Sequence, residues 1–270
     1  MQLAKYTKEL EAIKEQLQDQ ELHRYPPDVT GDYRILRFFL EHEQIVEDTV
    51  IAIRRFIKWR QENKVDELRE EVDKIPFEQI RNYDKVVRWS PVNLMLRDDH
   101  GEVVVDEAGR PLSVEQSGKC DISQVMDKVS ETEMMEMHIS HLEKRSIILD
   151  ELSRKKGELV QIVLIKDFRD ADTWFPLKHP KYFSDFLSRA ERMVKISRDF
   201  YPNTVGKAYI YRAPRTFGKI WKFFSTKILT QHHVNLTEFV DDGLVRIFGK
   251  QILPIGLDGL NTAKLSQLPR

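Results

Sequence analysis

The stretch "YPNTVGKAYIYRAPRTFGKIWKFF", residues 201–224, decides the fold. Tyr201-Pro202-Asn203 and Gly206 carry turn chemistry. The following run to Tyr211 reads as a strand, and Pro214 stops it because proline cannot donate to a ladder. A helix then begins. Placed at about 100° per residue, Phe217, Ile220, Trp221, Phe224 and Ile228 share a sector roughly 100° wide, with Lys219 and Lys222 nearly opposite. Lys227 sits at the edge of the apolar sector. Residues 212–230 hold four large aromatics and five cations, and no acid. Such a helix suits either a protein core with a solvated back or the surface of an anionic bilayer.

The neighbouring segments set the context. "LVQIVLIKDF" (159–168) is a continuous apolar run of the kind buried on both sheet faces. Helical patterns precede it, at about 121–156 and ending at Gly157, and follow it, at 178–200. "KVVRWSPVNLML" (85–96), "GEVVVD" (101–106) and "GRPLSVEQ" (109–116) read as short strand-like pieces between turns. "HVNLTEFV" (233–240) reads as a closing strand. Strands alternating with helices imply an α/β sheet that is largely parallel. The front of the chain differs. Leu10, Ile13 and Leu17 form a thin stripe on a first helix, Asp32 is placed to cap a second, and Val46, Val50, Ile53 and Ile57 mark a third running to about Asn63. Residues 1–73 are thus expected to form a helical domain, 74–262 an α/β domain, and 263–270 a tail.

The chain has 270 residues, 32% charged and 41% hydrophobic, a composition typical of globular proteins. Its net charge of −1 hides an asymmetry. Residues 1–73 contain 12 Lys/Arg against 17 Asp/Glu, whereas residues 174–230 contain 12 Lys/Arg against three acids. The basic region either meets something anionic or complements the acidic one. Cys120 is the single cysteine, so no internal disulfide forms, which fits a reducing compartment. No secretory leader and no membrane-length apolar run is visible, so a cytoplasmic location is expected.

Motifs for enzymatic chemistry are missing. There is no G-x-G-x-x-G, P-loop or G-x-S-x-G. His138 and His141 lie three apart, a spacing that can ligate metal. A catalytic zinc usually needs a third protein ligand, and no nearby residue announces one, so a solvated helix face is expected instead. No nucleophile, base and oxyanion donor assemble by local spacing. The expectation is a protein that is not an enzyme and carries no metal or cofactor.

Several segments together resemble the CRAL-TRIO lipid-binding family. Residues 201–224 are similar to its Tyr-Pro turn, strand and gate helix. "RILRFFLEHEQIVEDTVIAIRRFIKWRQEN" (34–63) is similar to its N-terminal helices, "DEAGRPLSVEQSG" (106–118) to its Gly-Arg-Pro strand, "IVLIKDFRD" (162–170) to its central strand, and "LPIGLDGL" (253–260) to its closing stretch. The resemblance spans nearly the whole chain in order. It implies an N-terminal helical bundle followed by a domain with a mostly parallel sheet as floor, helical walls, and a mobile gate helix (about 216–230) enclosing an apolar pocket. One hydrophobic lipid-like molecule (phospholipid, phosphoinositide or isoprenoid-like) would be held there and transferred or presented at an anionic membrane surface. The protein would be a monomer, transiently membrane-associated, without a nucleic-acid partner.

On that basis Ile162, Leu164, Ala208 and Ile210 would line the pocket on one alternating sheet face. The other reading is that they face supporting helices. Phe217, Ile220, Trp221, Phe224 and Ile228 would form the gate. Lys207, Arg212, Arg215, Lys219, Lys222 and Lys227 would meet the membrane or a head group. Arg212 would pair with a head group or, the favoured alternative, with Asp167. The sequence departs from phosphatidylinositol-transferring members at Asn203, Asn235, Glu41, Glu43, Ile162 and Leu164, which favours a more apolar ligand. A sensing or protein-interaction scaffold without transfer is the alternative function.

Overall fold

A computed structural model describes residues 2–17, 22–172, 174–215, 217–218, 221–222, 225, 234–263 and 265. In chain order the helices are α1 (Gln2–Lys5), α2 (Thr7–Leu17), α3 (Pro27–Thr30), α4 (Asp32–Glu41), α5 (Val46–Glu62), α6 (Val65–Asp73), α7 (Tyr83–Val87), α8 (Ile122–Lys128), α9 (Glu131–Lys156), α10 (Phe175–Lys178) and α11 (Pro180–Phe200). A further short helix spans Leu244–Phe248. The strands are β1 (Val92–Asn93), β2 (Leu112–Glu115), β3 (Ile162–Asp167), β4 (Val205–Tyr211) and β5 (Thr237–Val240).

The chain divides into two compact units that are not contiguous in sequence. The first holds Met1–Pro76, Ile139–Gln161 and Ile196–Thr204. Its core gathers the stripe Leu10, Ile13 and Leu17 with Ile35, Leu36, Phe38, Phe39, Val50, Ile53 and Phe56. Asp32 does not cap α4. It is the first helical residue, and Gly31 stands at the cap. The Gly31 N–H donates to Pro27 O at 2.8 Å, and a Cβ on Gly31 would lie 2.5 Å from that oxygen. Two short helices therefore meet where only glycine fits. Asp32 instead makes an ion pair with Lys14.

Buried charge fixes this unit. Arg60 is fully buried and donates to Glu143 at 2.8 and 3.0 Å and to Asp66 at 2.9 and 2.5 Å. Tyr201 adds a 2.5 Å hydrogen bond to Glu143. Burial opposes the Arg60 charge, but the Glu143 carboxylate outweighs it and holds the guanidinium protonated above its ordinary range. Arg37 has carbonyl partners instead, Asn203 O at 2.5 Å and Val160 O at 2.6 Å. Burial first, and then the Arg34 charge, lower its pKa to about 9.

The second unit holds Phe77–His138, Ile162–Lys195 and Val205–Arg270. Its sheet runs β1-β2-β3-β4-β5 in chain order, with β1 antiparallel to β2 and the other pairings parallel. One sheet face is closed. Leu112, Val114, Val163, Ile165, Tyr209, Tyr211 and Val240 pack with Leu244, Phe248, Leu253, Leu257 and Ala263 of the C-terminal stretch. Leu112, Val114, Val163 and Ile165 are fully buried. Each such side chain contributes roughly 1.5–3 kcal/mol as an upper range.

Three local expectations change. The helical stretch 121–156 is two helices, because it contains two start signals. Asp121 accepts from Gln124 N at 3.0 Å to cap α8. Ser130 and Glu133 form a reciprocal capping box, at 2.9 and 3.2 Å, that opens α9. Residues 83–87, expected to be partly strand-like, form α7, with Tyr83, Val86 and Val87 buried at helical spacing. "GEVVVD" supplies only isolated bridges, Arg97 to Val103 and Val105 to Pro111.

Candidate functional site

The second face of the sheet is different. Leu164 lies beside Ala208 in the register and Ala208 beside Thr237, while Lys166 lies beside Ile210 and Ile210 beside Phe239. Side chains alternate along strands, so Ile162, Leu164, Ala208 and Ile210 share this face, opposite Val163, Ile165, Tyr209 and Tyr211. Ile162 and Ile210 are buried. Leu164, Ala208 and Thr237 are only half-buried, and Phe239 is 48% exposed. This face is mostly apolar and partly open.

An aromatic chain lies at the carboxyl ends of these strands. The Phe168 N–H continues the ladder onto Tyr211 O at 2.9 Å. The Phe168 ring packs on Phe217 with centroids 4.4 Å apart, and Phe217 reaches Phe239 at 6.3 Å. Trp221 meets Phe239 edge-on at 5.1 Å. Phe217 is buried and Trp221 half-buried. The start of the amphipathic segment is thus anchored on the strand ends by rings in favoured tilted and T-shaped contacts. Ile220, Phe224, Ile228, Lys219 and Lys227 lie outside the described residues.

The turn into this segment is held by charge. Arg212 adopts a left-handed conformation, φ 51°. Its guanidinium donates to Asp242 at 3.1 Å and Asp258 at 3.2 Å and lies 5.0 Å from the Tyr211 ring centroid. The expected partner Asp167 is occupied by Arg169, at 2.6–3.0 Å, so the Arg212–Asp167 pairing is corrected. Tyr211 Oη donates to Asp258 at 2.9 Å. Burial, then that hydrogen bond, push the Tyr211 hydroxyl up to about 12. Lys207 pairs with Glu238 at 3.0 Å and stands beside Val163 in the register, hence on the closed face. Arg215 and Lys222 are exposed.

Beyond the strands, α10 and α11 carry a second apolar surface. Trp174 is 62% and Leu177 73% exposed. Pro176, Pro180, Phe183, Ser184, Leu187, Ser188 and Glu191 line a groove of about 340 Å³. From Pro180 onward these residues recur at three- and four-residue spacing, so the groove follows one face of α11. The histidines do not make a solvated face. His141 is buried against Arg145, and His138 Nε2 lies 3.0 Å from Met193 O. Among the described residues no group of three or more His, Cys, Asp or Glu side chains is placed to hold a metal. No helix among them is long and apolar enough to cross a membrane.

Residues 103–259, more than half of the chain, match the CRAL/TRIO domain. The chain belongs to that family. Its mixed α/β architecture with a parallel sheet is that of the family, as a match to the crystal structure of Sfh5 also shows. That match has a TM-score of 0.60 at 13% identity and covers 85% of this chain and 71% of the other. Among curated relatives, the Arabidopsis thaliana phosphatidylinositol/phosphatidylcholine transfer protein SFH9 is 26% identical over 217 residues. The match takes in 77% of this chain and 34% of that protein. SFH12 from the same plant is 25% identical over 275 residues, 93% of this chain and 44% of its own length. The protein real-time of Aedes aegypti is 22% identical, over 84% of this chain and 33% of its own. The chain thus spans between about a third and half of the length of these relatives.

Two features of this CRAL/TRIO chain escaped sequence reasoning. Glu115 and Lys166, direct register partners on β2 and β3, form an ion pair on the half-open face. The signal was a charged residue inside each expected strand. The groove along α11 was legible only as the helix's apolar stripe, because helical periodicity does not tell a covered face from an open one.

Proposed function

We propose that this protein carries a single lipid-like molecule on the half-open face of its sheet and transfers or presents it at membranes. The observation that carries the reading is the contrast between neighbouring side chains of one strand. Val163 and Ile165 are fully buried, whereas Leu164 between them is half-buried on an apolar face. Pockets for small ligands are mostly apolar with few polar groups, and in open parallel sheets ligands bind at the carboxyl ends of strands. Relatives named as phosphatidylinositol/phosphatidylcholine transfer proteins support the same reading. The segment 216–230 acts as the gate, anchored at Phe217 and Trp221, and its lysines meet anionic lipid. No covalent step is part of this function.

The test is transfer of a fluorescent phospholipid between donor and acceptor vesicles. The protein is expected to accelerate transfer, and Trp221→Asp with Phe224→Asp to slow it at least tenfold while circular dichroism is retained. Unchanged transfer by the double variant would remove the gate assignment. Lys222→Glu is expected to weaken binding to anionic vesicles about fivefold at low salt and less at high salt, since one basic residue near such a surface contributes about 1 kcal/mol.

A further inference from the structure

The half-open face is mostly apolar, with Ser113 and Thr237 as neutral polar positions, and a charged pair stands on it at one place. Glu115 is the last residue of β2, and Lys166 is the last but one of β3. They are register partners and ion-paired, with side chains 30% and 35% exposed. Alternation places them on the same face as Leu164 and Ile210, at the carboxyl ends of the strands.

Holding a lysine and a glutamate on an apolar surface removes both partly from water, and a pair this exposed returns little stability. Two apolar side chains of similar volume would serve the fold as well. The pair also occupies the end of the sheet at which ligands of parallel α/β folds bind.

We propose that Lys166 and Glu115 form a head-group subsite for a zwitterionic phospholipid, and that this chemistry sets the protein's lipid preference. This rests on the carrier reading above. The phosphate of the head accepts from the Lys166 ammonium, and its cationic group sits against the Glu115 carboxylate. The acyl chains run along Leu164 and Ala208. A zwitterion gives each ion of the pair an opposite charge. A net-anionic head that reaches Lys166 meets the Glu115 carboxylate beside it, a like-charge contact that selects against it. Apolar Ile162 and Leu164 argued for a ligand with little polarity on the central strand. The pair two residues further along places the polar end of the ligand at the strand end instead.

The test uses vesicles containing phosphatidylcholine, phosphatidylinositol and diacylglycerol of matched acyl chains. The delipidated protein is incubated with them and re-isolated, and its bound lipids are quantified by mass spectrometry. The unaltered protein is expected to take up phosphatidylcholine in preference to phosphatidylinositol. Lys166→Met is expected to lower the ratio of phosphatidylcholine to diacylglycerol about tenfold, the loss of one charge-assisted hydrogen bond. Glu115→Gln, which keeps the shape of the side chain, is expected to lower the ratio of phosphatidylcholine to phosphatidylinositol, and it decides the matter if Lys166→Met fails to fold. Ratios unmoved by these substitutions, or a preference of the unaltered protein for phosphatidylinositol, would overturn the subsite while leaving the carrier reading intact. Uptake of none of the three lipids would remove both.

Discussion

The two faces of the β-sheet are made by the same strands and differ in how completely the chain covers them. On the closed face Val163, Ile165, Tyr209 and Tyr211 are sealed by Leu244, Phe248, Leu253 and Leu257. On the other, Leu164, Ala208 and Thr237 remain half-buried. Hydrophobic character alone does not distinguish Ile165 from Leu164. What distinguishes them is whether the chain supplies its own cover. A face that the protein leaves partly bare is available to an apolar molecule from outside, at the cost of the stability that a full cover would have added.

That difference is open to direct attack by mutation. Ile165→Ala, on the closed face, is expected to destabilise the protein by about 2–5 kcal/mol, the range for emptying a well-packed site. Leu164→Ala, one residue away, should cost no more than about 1 kcal/mol, because its site is already partly open. Urea denaturation measures both, and equal losses would erase the distinction. Next comes Ala208→Trp, which fills the half-open face. It is expected to cut lipid uptake at least tenfold with a small change in the urea midpoint. A large fall in stability with uptake unchanged would mean that the face is packed and the ligand lies elsewhere.

The smallest effect concerns pH. The Tyr211 hydroxyl, on the closed face, is raised from its ordinary 10 to about 12 by burial and by its bond to Asp258. The folded state therefore holds this proton more tightly than the unfolded chain does. Its contribution to stability is complete below pH 10 and is lost as pH rises from 10 through about 12. Tyr211→Phe is expected to flatten that part of the stability profile, and an unchanged slope would show that the hydroxyl is not so held.

How much of this was legible in the sequence depended on the range of the interactions. The turn at Tyr201–Asn203 located the strand after "LVQIVLIKDF", but a continuous apolar run does not say which side of a strand is covered, so the face shared by Ile162, Leu164, Ala208 and Ile210 rested on the family resemblance and was one of two readings. The register that sets Leu164 beside Ala208 was then fixed by strand pairing. The amphipathic count put Phe217 and Trp221 on one apolar helix face, but their partners Phe168 and Phe239 lie far away in sequence and left no local signal. The same limit hid the Glu115–Lys166 pair, which joins residues separated by two helices. It also hid the recruitment of 139–161 and 196–204 into the first unit, since Arg60 finds Glu143 and Tyr201 only once the chain has folded. Arg212 was legible as a cation just before the amphipathic segment. Its partners Asp242 and Asp258 were not, because Asp167 was the nearer acid by motif but had already been taken by Arg169.

The claim that the half-open face holds a lipid is tested most directly by organic extraction of the protein purified without detergent, followed by mass spectrometry of the extract. The expected result is a narrow set of lipid species at about one molecule per chain, reduced at least tenfold in Ala208→Trp. An extract without lipid, from a protein that also acquires none after incubation with vesicles, would contradict it.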